Sequence, residues 1–156
     1  MRVFVTGATG WVGSAVVGEL VGAGHRVTGL ARSDDKAAAL AASGADVRRG
    51  TLDDLDLLSG AAAAADAVIH TAFNHDFSRF AENARQDQRA IETLGSALHG
   101  SDRPLLVTSG LALLTPGRVA TELDVPSSDP SFPRRSEAAA RALAAQGVRA
   151  ARLATA

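Results

Sequence analysis

No tyrosine and no cysteine occur among the 156 residues, and lysine occurs once, at Lys36. Without cysteine, disulfide frameworks, thiolate metal sites and cysteine nucleophiles are excluded. Without tyrosine, any mechanism that needs a phenol is excluded as well. Aromatic residues amount to 4% of the chain, against 46% apolar residues overall. A mixture rich in Ala and Gly suits close packing of helices on a sheet more than an aromatic-rich binding surface. Neither sign of charge dominates, with 16 Lys+Arg against 17 Asp+Glu. The net charge of −1 gives no general attraction to nucleic acid or to an anionic membrane. Long hydrophobic runs are also missing. Gly7, Gly10, Gly13 and Glu19 interrupt the apolar patches of the first thirty residues, so these are not expected to act as a signal peptide. The alanine stretch Ala61–Ala65 is too short to span a bilayer. The expectation is a single soluble, cytoplasmic domain, long enough to bury a core of its own.

Short β-branched runs alternate with longer helical stretches. Strands are predicted at Arg2–Thr6, Arg26–Leu30, Ala45–Arg49, Ala67–Thr71, Pro104–Thr108 and from Val148 to Leu153. Between them lie predicted helices at Trp11–Ala23, Asp34–Ala42, Leu55–Ala64, from about Ser78 to His99, and Arg134–Ala145. Gly24, Gly44 and Gly147 close three of these helices, and Asp53 or Asp54 is a candidate N-cap for a fourth. Along Ser78–His99, Phe80, Ala84, Ile91, Leu94 and Leu98 fall near one face. Leu111–Phe132 carries Pro116, Pro126 and Pro130, with Pro133 following, and reads mostly as loop. Strict alternation of strand and helix predicts a doubly wound α/β domain: a parallel sheet of about six strands, covered on both faces and joined by right-handed crossovers.

The strongest local signal is Thr6-Gly7-Ala8-Thr9-Gly10-Trp11-Val12-Gly13, between the first strand and the first helix. Its glycines recur every third residue. Gly7 is able to leave the strand through a tight turn, Gly10 to let the backbone approach a pyrophosphate, and Gly13 to bring the helix close to the sheet. Thr9, Trp11 and Val12 complete the candidate phosphate-binding turn, whose helix would present unpaired N–H groups and the positive end of its dipole. Trp11 either covers the pyrophosphate or packs under the proline-rich loop. A P-loop is excluded because no Gly-Lys-Ser/Thr follows.

The end of the second strand bears on the choice of dinucleotide. An acidic residue about 20 positions beyond the glycines reads an NAD ribose, whereas a basic one accepts the 2′-phosphate of NADP. Ala31 stands in the acidic slot and Arg32 follows it, with Ser33 next. A guanidinium pairs with phosphate through two charge-assisted hydrogen bonds, so NADP is the expected cofactor and NAD the second choice.

Together these residues resemble the short-chain dehydrogenase/reductase superfamily, in its extended and atypical branches (the NAD-dependent epimerase/dehydratase type). The resemblance runs over essentially the whole chain and implies a Rossmann-type topology. Thr6–Gly13 is similar to the family's TGxxGxxG element. Arg49-Gly50-Thr51-Leu52-Asp53 resembles the adenine-contacting segment after strand three, with Thr51 where the family has an acidic residue, so that packing by Leu52 is what carries over. His70-Thr71-Ala72-Phe73 resembles the end of strand four beside the cofactor, which implies cofactor contacts at Thr71, Ala72 and Phe73. Val107-Thr108-Ser109-Gly110 resembles the end of strand five, which implies a catalytic role for Ser109.

One departure is plain. The family's acid–base pair is Tyr-x-x-x-Lys, and the corresponding stretch here is Pro133-Arg134-Arg135-Ser136-Glu137. If Ser136 matches the family's serine, Tyr is replaced by Pro133 and Lys by Glu137. Arg134 and Arg135 then read as a solvated face with a possible anion or ribose contact. His70 reads as a buried, hydrogen-bonded histidine, and His70, His75 and His99 have no metal-ligand spacing.

The implied function is an NADP(H)-binding oxidoreductase-like protein without the usual Tyr/Lys dyad, acting on an unidentified small molecule. The alternative is a non-catalytic NAD(P)-binding sensor of the NmrA-like kind. The resemblance also implies that residues 1–156 form the nucleotide-binding portion of a longer protein, without the family's C-terminal substrate portion. A homodimer through Ser78–His99 and Arg134–Ala145 is a further expectation; a nucleic-acid or membrane partner is not.

Overall fold

The computed structural model describes residues 1–110, 121 and 133–155. Six strands alternate with five helices: β1 (Arg2–Thr6), α1 (Trp11–Gly22), β2 (Arg26–Ala31), α2 (Asp34–Ala42), β3 (Asp46–Arg49), α3 (Leu55–Ala64), β4 (Ala67–His70), α4 (Phe80–Ser96), β5 (Leu105–Gly110), α5 (Ser136–Ala145) and β6 (Ala150–Thr155). They form one sheet in the order β3-β2-β1-β4-β5-β6, with every pair parallel. This is the doubly wound Rossmann order, in which the chain reverses direction across the sheet between β1 and β4. Ligands of such sheets lie at that reversal, beyond the carboxyl ends of the strands.

The pleat sorts each strand's side chains between two cores. In β1, Phe4 points to one face and Val3 and Val5 to the other. In β4, Val68 joins Phe4, while Ala67 and Ile69 join Val3 and Val5. The Phe4 face is covered by α3, α4 and α5 through Leu58, Ile91, Leu94 and Leu143, and the Val5 face by α1 and α2 through Val17 and Leu40. Helices α4 and α5 approach so closely that a Cβ on Gly95 would stand 2.3 Å from Leu143 Cδ1. No helix among the described residues is long and apolar enough to cross a membrane.

Most predicted boundaries agree to within two residues. Strands β5 and β6 run further than their sequences suggest, to Gly110 and Thr155, because Ser109 pairs with Ala154 and Gly110 with Thr155. Helix α4 begins at Phe80 rather than Ser78. Asp76 accepts from the Ser78 amide at 3.1 Å and holds Phe77–Arg79 in a 3₁₀ turn ahead of the helix. Helix α5 begins at Ser136 rather than Arg134. Asp54 does stand at the N-cap of α3, but its carboxylate turns back to the Thr51 amide (2.6 Å) and hydroxyl (2.9 Å) and makes no bond into the helix. The predicted loop over residues 111–132 lies, apart from Thr121, outside the described residues.

Asp66 ties the start of β4 to β1. It accepts from the Arg2 guanidinium and the Arg2 amide, each at 2.7 Å. These bonds favour the carboxylate and hold its pKa down from 3.8 to about 2. A depressed folded-state pKa contributes stability above the unfolded value, and that contribution is lost as pH falls through the folded one. Between pH 4 and 2 the urea midpoint of the wild type should therefore drop more steeply than that of Asp66→Asn. Parallel curves for the two proteins would contradict this assignment.

Candidate functional site

The turn after β1 is shaped by backbone approach. Gly7 has φ +67°, a left-handed conformation that leaves the strand sharply. A Cβ there would stand 2.6 Å from Ala72 N and 2.7 Å from Thr71 Oγ1, so β4's exit presses on the turn. Gly10 N–H donates to Gly7 O at 2.9 Å and closes the turn. Gly13 proves the tightest of the three: its Cβ would fall 2.0 Å from Gly7 O. Its small size therefore serves the turn itself as much as helix–sheet packing.

Gly10 is the N-cap of α1 and offers no side-chain cap. Ser14 N–H already bonds Gly10 O at 2.9 Å, whereas the amides of Trp11, Val12 and Gly13 have no acceptor among the described residues. Three orphan donors at the positive end of a helix, at the reversal of the sheet, fit a pyrophosphate. Thr9 lies in the turn, and Trp11 stands 95% exposed beside it. Thr71 donates its hydroxyl to Thr6 O at 2.8 Å, so its side chain braces the turn from beneath.

The other predicted residues spread along the carboxyl edge. Arg32 and Ser33 are exposed where β2 ends, beside buried Ala31. Ser33 caps α2 by accepting from Lys36 N at 3.4 Å and keeps its hydroxyl proton to donate elsewhere. Arg49, opposite Ala31 in the sheet, pairs with Asp34 at 3.0 Å. Leu52 packs against the Phe4 core, and the Thr51 hydroxyl is committed to Asp54. Ser109 is buried near the end of β5.

Beyond β4 the structure joins residues that the sequence leaves separate. His70 is fully buried. Its Nε2 bonds Asp87 Oδ1 at 2.9 Å and its Nδ1 bonds Thr6 Oγ1 at 2.8 Å. With Nε2–H donated to the carboxylate, Nδ1 accepts from the Thr6 hydroxyl. The other Asp87 oxygen accepts from Ser136 Oγ at 2.5 Å, and Ser136 Oγ accepts from Arg134 Nε at 2.9 Å. One continuous chain of hydrogen bonds thus runs from the residue before Gly7 to the start of α5. The reading of His70 as a buried structural histidine agrees with this geometry.

Arg134 departs from the expectation of a solvated face. Its Cζ lies 4.3 Å from the Phe73 ring centroid, and burial pulls its pKa below the usual arginine value, with Asp87 opposing. Asp87 escapes a reading by motif, yet it carries a signal. It falls on the apolar stripe of α4, three residues after Ala84 and four before Ile91, where an acid needs a buried partner. Glu137 is buried and pairs with Arg141 one turn on at 3.0 Å.

Comparison with known proteins points the same way. A family model described as NAD(P)H-binding matches residues 7–153. An uncharacterized protein of Schizosaccharomyces pombe is 48% identical over 153 residues, covering 96% of this chain and 51% of its own. The 4-hydroxy-2-methyl-3-oxo-4-farnesyl-3,4-dihydroquinoline-1-oxide ketoreductase of Stigmatella aurantiaca is 31% identical over 148 residues, covering 94% of this chain and 44% of that protein. The chain thus spans about half the length of these curated relatives. Among solved structures, MoeE5 in complex with UDP-glucose and NAD superposes with a TM-score of 0.74 at 26% identity, covering 99% of this chain and 53% of MoeE5. Glycine turn, strand order and these likenesses agree: the chain belongs to the NAD(P)H-binding family, within the short-chain dehydrogenase/reductase superfamily.

Proposed function

We propose that the chain binds NADP(H) in preference to NAD(H) and acts as the dinucleotide-holding part of an oxidoreductase that works without the Tyr/Lys dyad. The observation that carries the cofactor preference is the end of β2. Buried Ala31 occupies the place of the carboxylate that reads an NAD ribose, and exposed Arg32 and Ser33 follow at the mouth of the crevice. The amides of Trp11, Val12 and Gly13 would hold the pyrophosphate. Thr9, Leu52, Thr71, Ala72 and Phe73 would line the remaining length of the dinucleotide. When bound, the dinucleotide supplies or accepts a hydride; the chain's own residues bind and orient it. The ketoreductase named among the relatives supports the oxidoreductase class.

The test is a paired titration. Arg32→Glu should weaken NADPH by roughly 10- to 100-fold, the scale of a lost charge-assisted phosphate contact. NADH should change only slightly. Equal losses for the two dinucleotides would overturn the assignment.

A second reading rests on the absence of tyrosine. With no phenol to pass a proton to substrate, Ser109 is the side chain assigned to the catalytic position, and a sensor that binds NADP(H) without turnover fits the same crevice. NADPH oxidation over a carbonyl panel separates the two. Turnover selects the oxidoreductase, and tight binding without turnover selects the sensor.

A further inference from the structure

Phenylalanine is scarce, yet three of the chain's five lie between Phe73 and Phe80. With His75 they close a ring of edge and tilted contacts. The centroid distances are 5.6 Å for Phe73–His75, 5.9 Å for His75–Phe77, 5.8 Å for Phe77–Phe80 and 5.9 Å for Phe80–Phe73. The cluster follows β4 directly, at the crevice edge of the sheet. Phe77 is 67% exposed, so part of this aromatic surface faces outward. Such a surface receives flat apolar groups by offset or edge stacking.

Arg134 lies on this cluster and is held from two sides. Its Cζ stands over the Phe73 ring at 4.3 Å from the centroid, and the bond from Nε to Ser136, itself bound to Asp87, holds one edge. The opposite edge reaches the carboxyl end of β5, where Nη1 lies 3.4 Å from the place a Cβ on Gly110 would occupy. A guanidinium already oriented and partly stripped of water loses little more on meeting an anion. Its fork matches two oxygens of one planar group.

We propose that Arg134 and the Phe73–Phe80 cluster form a subsite for a flat, conjugated anion, an aromatic carboxylate or the equivalent enolate, with its oxygens on the Nη edge and its ring on the aromatic surface. The inference deepens the oxidoreductase reading by naming a substrate class, and rests on it for the placement of the dinucleotide in the adjoining crevice. Arg134 selects the charge and Phe73, Phe77 and Phe80 select the flat ring.

Calorimetric titration with sodium benzoate tests this, using acetate and inorganic phosphate as comparison probes, with and without saturating NADPH. Benzoate should bind more tightly than either comparison anion in both conditions. Arg134→Gln should weaken benzoate about tenfold, the scale of a lost charge-assisted contact, and Arg134→Lys should restore part of that loss. Phe77→Ala trims a side chain that is two-thirds exposed, so it disturbs folding little and tests the subsite independently of the Arg134 variants. It should weaken benzoate about threefold and leave acetate unchanged. Benzoate no tighter than acetate, phosphate as tight as benzoate, or unchanged benzoate affinity in Arg134→Gln would each overturn the subsite. NADPH affinity on the same samples keeps the two readings apart. Failure to bind NADPH sinks the proposed function whatever benzoate does, whereas failure of benzoate with NADPH binding intact sinks the subsite alone.

Discussion

Gly13→Ala is expected to lose dinucleotide affinity by on the order of a hundredfold, the scale on which an ångström of misplacement is felt at a preorganised site. The added Cβ would fall 2.0 Å from Gly7 O, 2.7 Å from Gly7 C and 2.7 Å from Thr71 Oγ1. Two of these atoms are backbone, and the third is held by its bond to Thr6 O. None can swing aside, so α1 and the turn must part and carry the orphan amides of Trp11, Val12 and Gly13 out of line. Overpacking of this kind destabilises by about 1–3 kcal/mol in addition. Gly18→Ala on the same helix is the control. Its Cβ would meet nothing within 4 Å, so it should bind normally and gain up to about 1 kcal/mol from helix propensity. Trp11, the only tryptophan, sits exposed at the turn, and its fluorescence reports the titration directly. Near-normal affinity in a folded Gly13→Ala protein would contradict the role given to this turn.

The second large effect concerns Asp87. Asp87→Ala should lower unfolding stability by about 2–6 kcal/mol, because it strips the acceptor from two buried donors, at about 1–3 kcal/mol each. The substitution leaves the His70 and Ser136 donors without their acceptor and removes the negative charge facing Arg134. All of this lies in a region where His70, Asp87 and Ser136 are each at most 1% exposed. Against a total of about 5–15 kcal/mol for a domain, the loss is large enough to leave a substantial unfolded fraction. Asp87→Asn keeps the shape and one acceptor, and should fall by roughly 1–3 kcal/mol. Urea unfolding of both variants gives the comparison, and a cycle with His70→Ala gives the coupling between the pair. A fall of less than about 1 kcal/mol in Asp87→Ala would mean that the network carries little energy.

Both predictions depend on a fold whose outline was legible from local patterns. Short β-branched runs and helical stretches placed most of the described strands and helices to within two residues, because each pattern is a property of neighbours in sequence; the end of α4, at Ser96 rather than His99, is three residues off. Helix ends were less legible where side chains intervene. Asp76 diverts the chain into a 3₁₀ turn, and Asp54 turns back to Thr51. The lengths of β5 and β6 depended on each other, since strand ends persist only where a partner strand continues.

The site divides along the same line. The glycine turn was readable because its requirement is a local one, a sharp exit from a strand into a helix with no room for side chains. The sequence alone puts Arg134 on a solvated face, because nothing near it in the chain announces Phe73, which lies sixty-one positions earlier. Asp87 is hidden for the same reason, and its place in the apolar stripe of α4 is its one local signal.

What the sequence by itself determined, then, was the alternating α/β architecture, the glycine turn between β1 and α1 and the lack of tyrosine among these 156 residues. Composition and short-range spacing are enough for these. Tertiary structure alone decided that Thr6, His70, Asp87, Ser136 and Arg134 form one hydrogen-bonded chain with Phe73 beneath its end. The physical reason is that a side chain's partner across a parallel sheet is set by strand order and register. Every crossover in such a sheet brings together residues far apart in the chain, whose chemistry has no meaning until they meet.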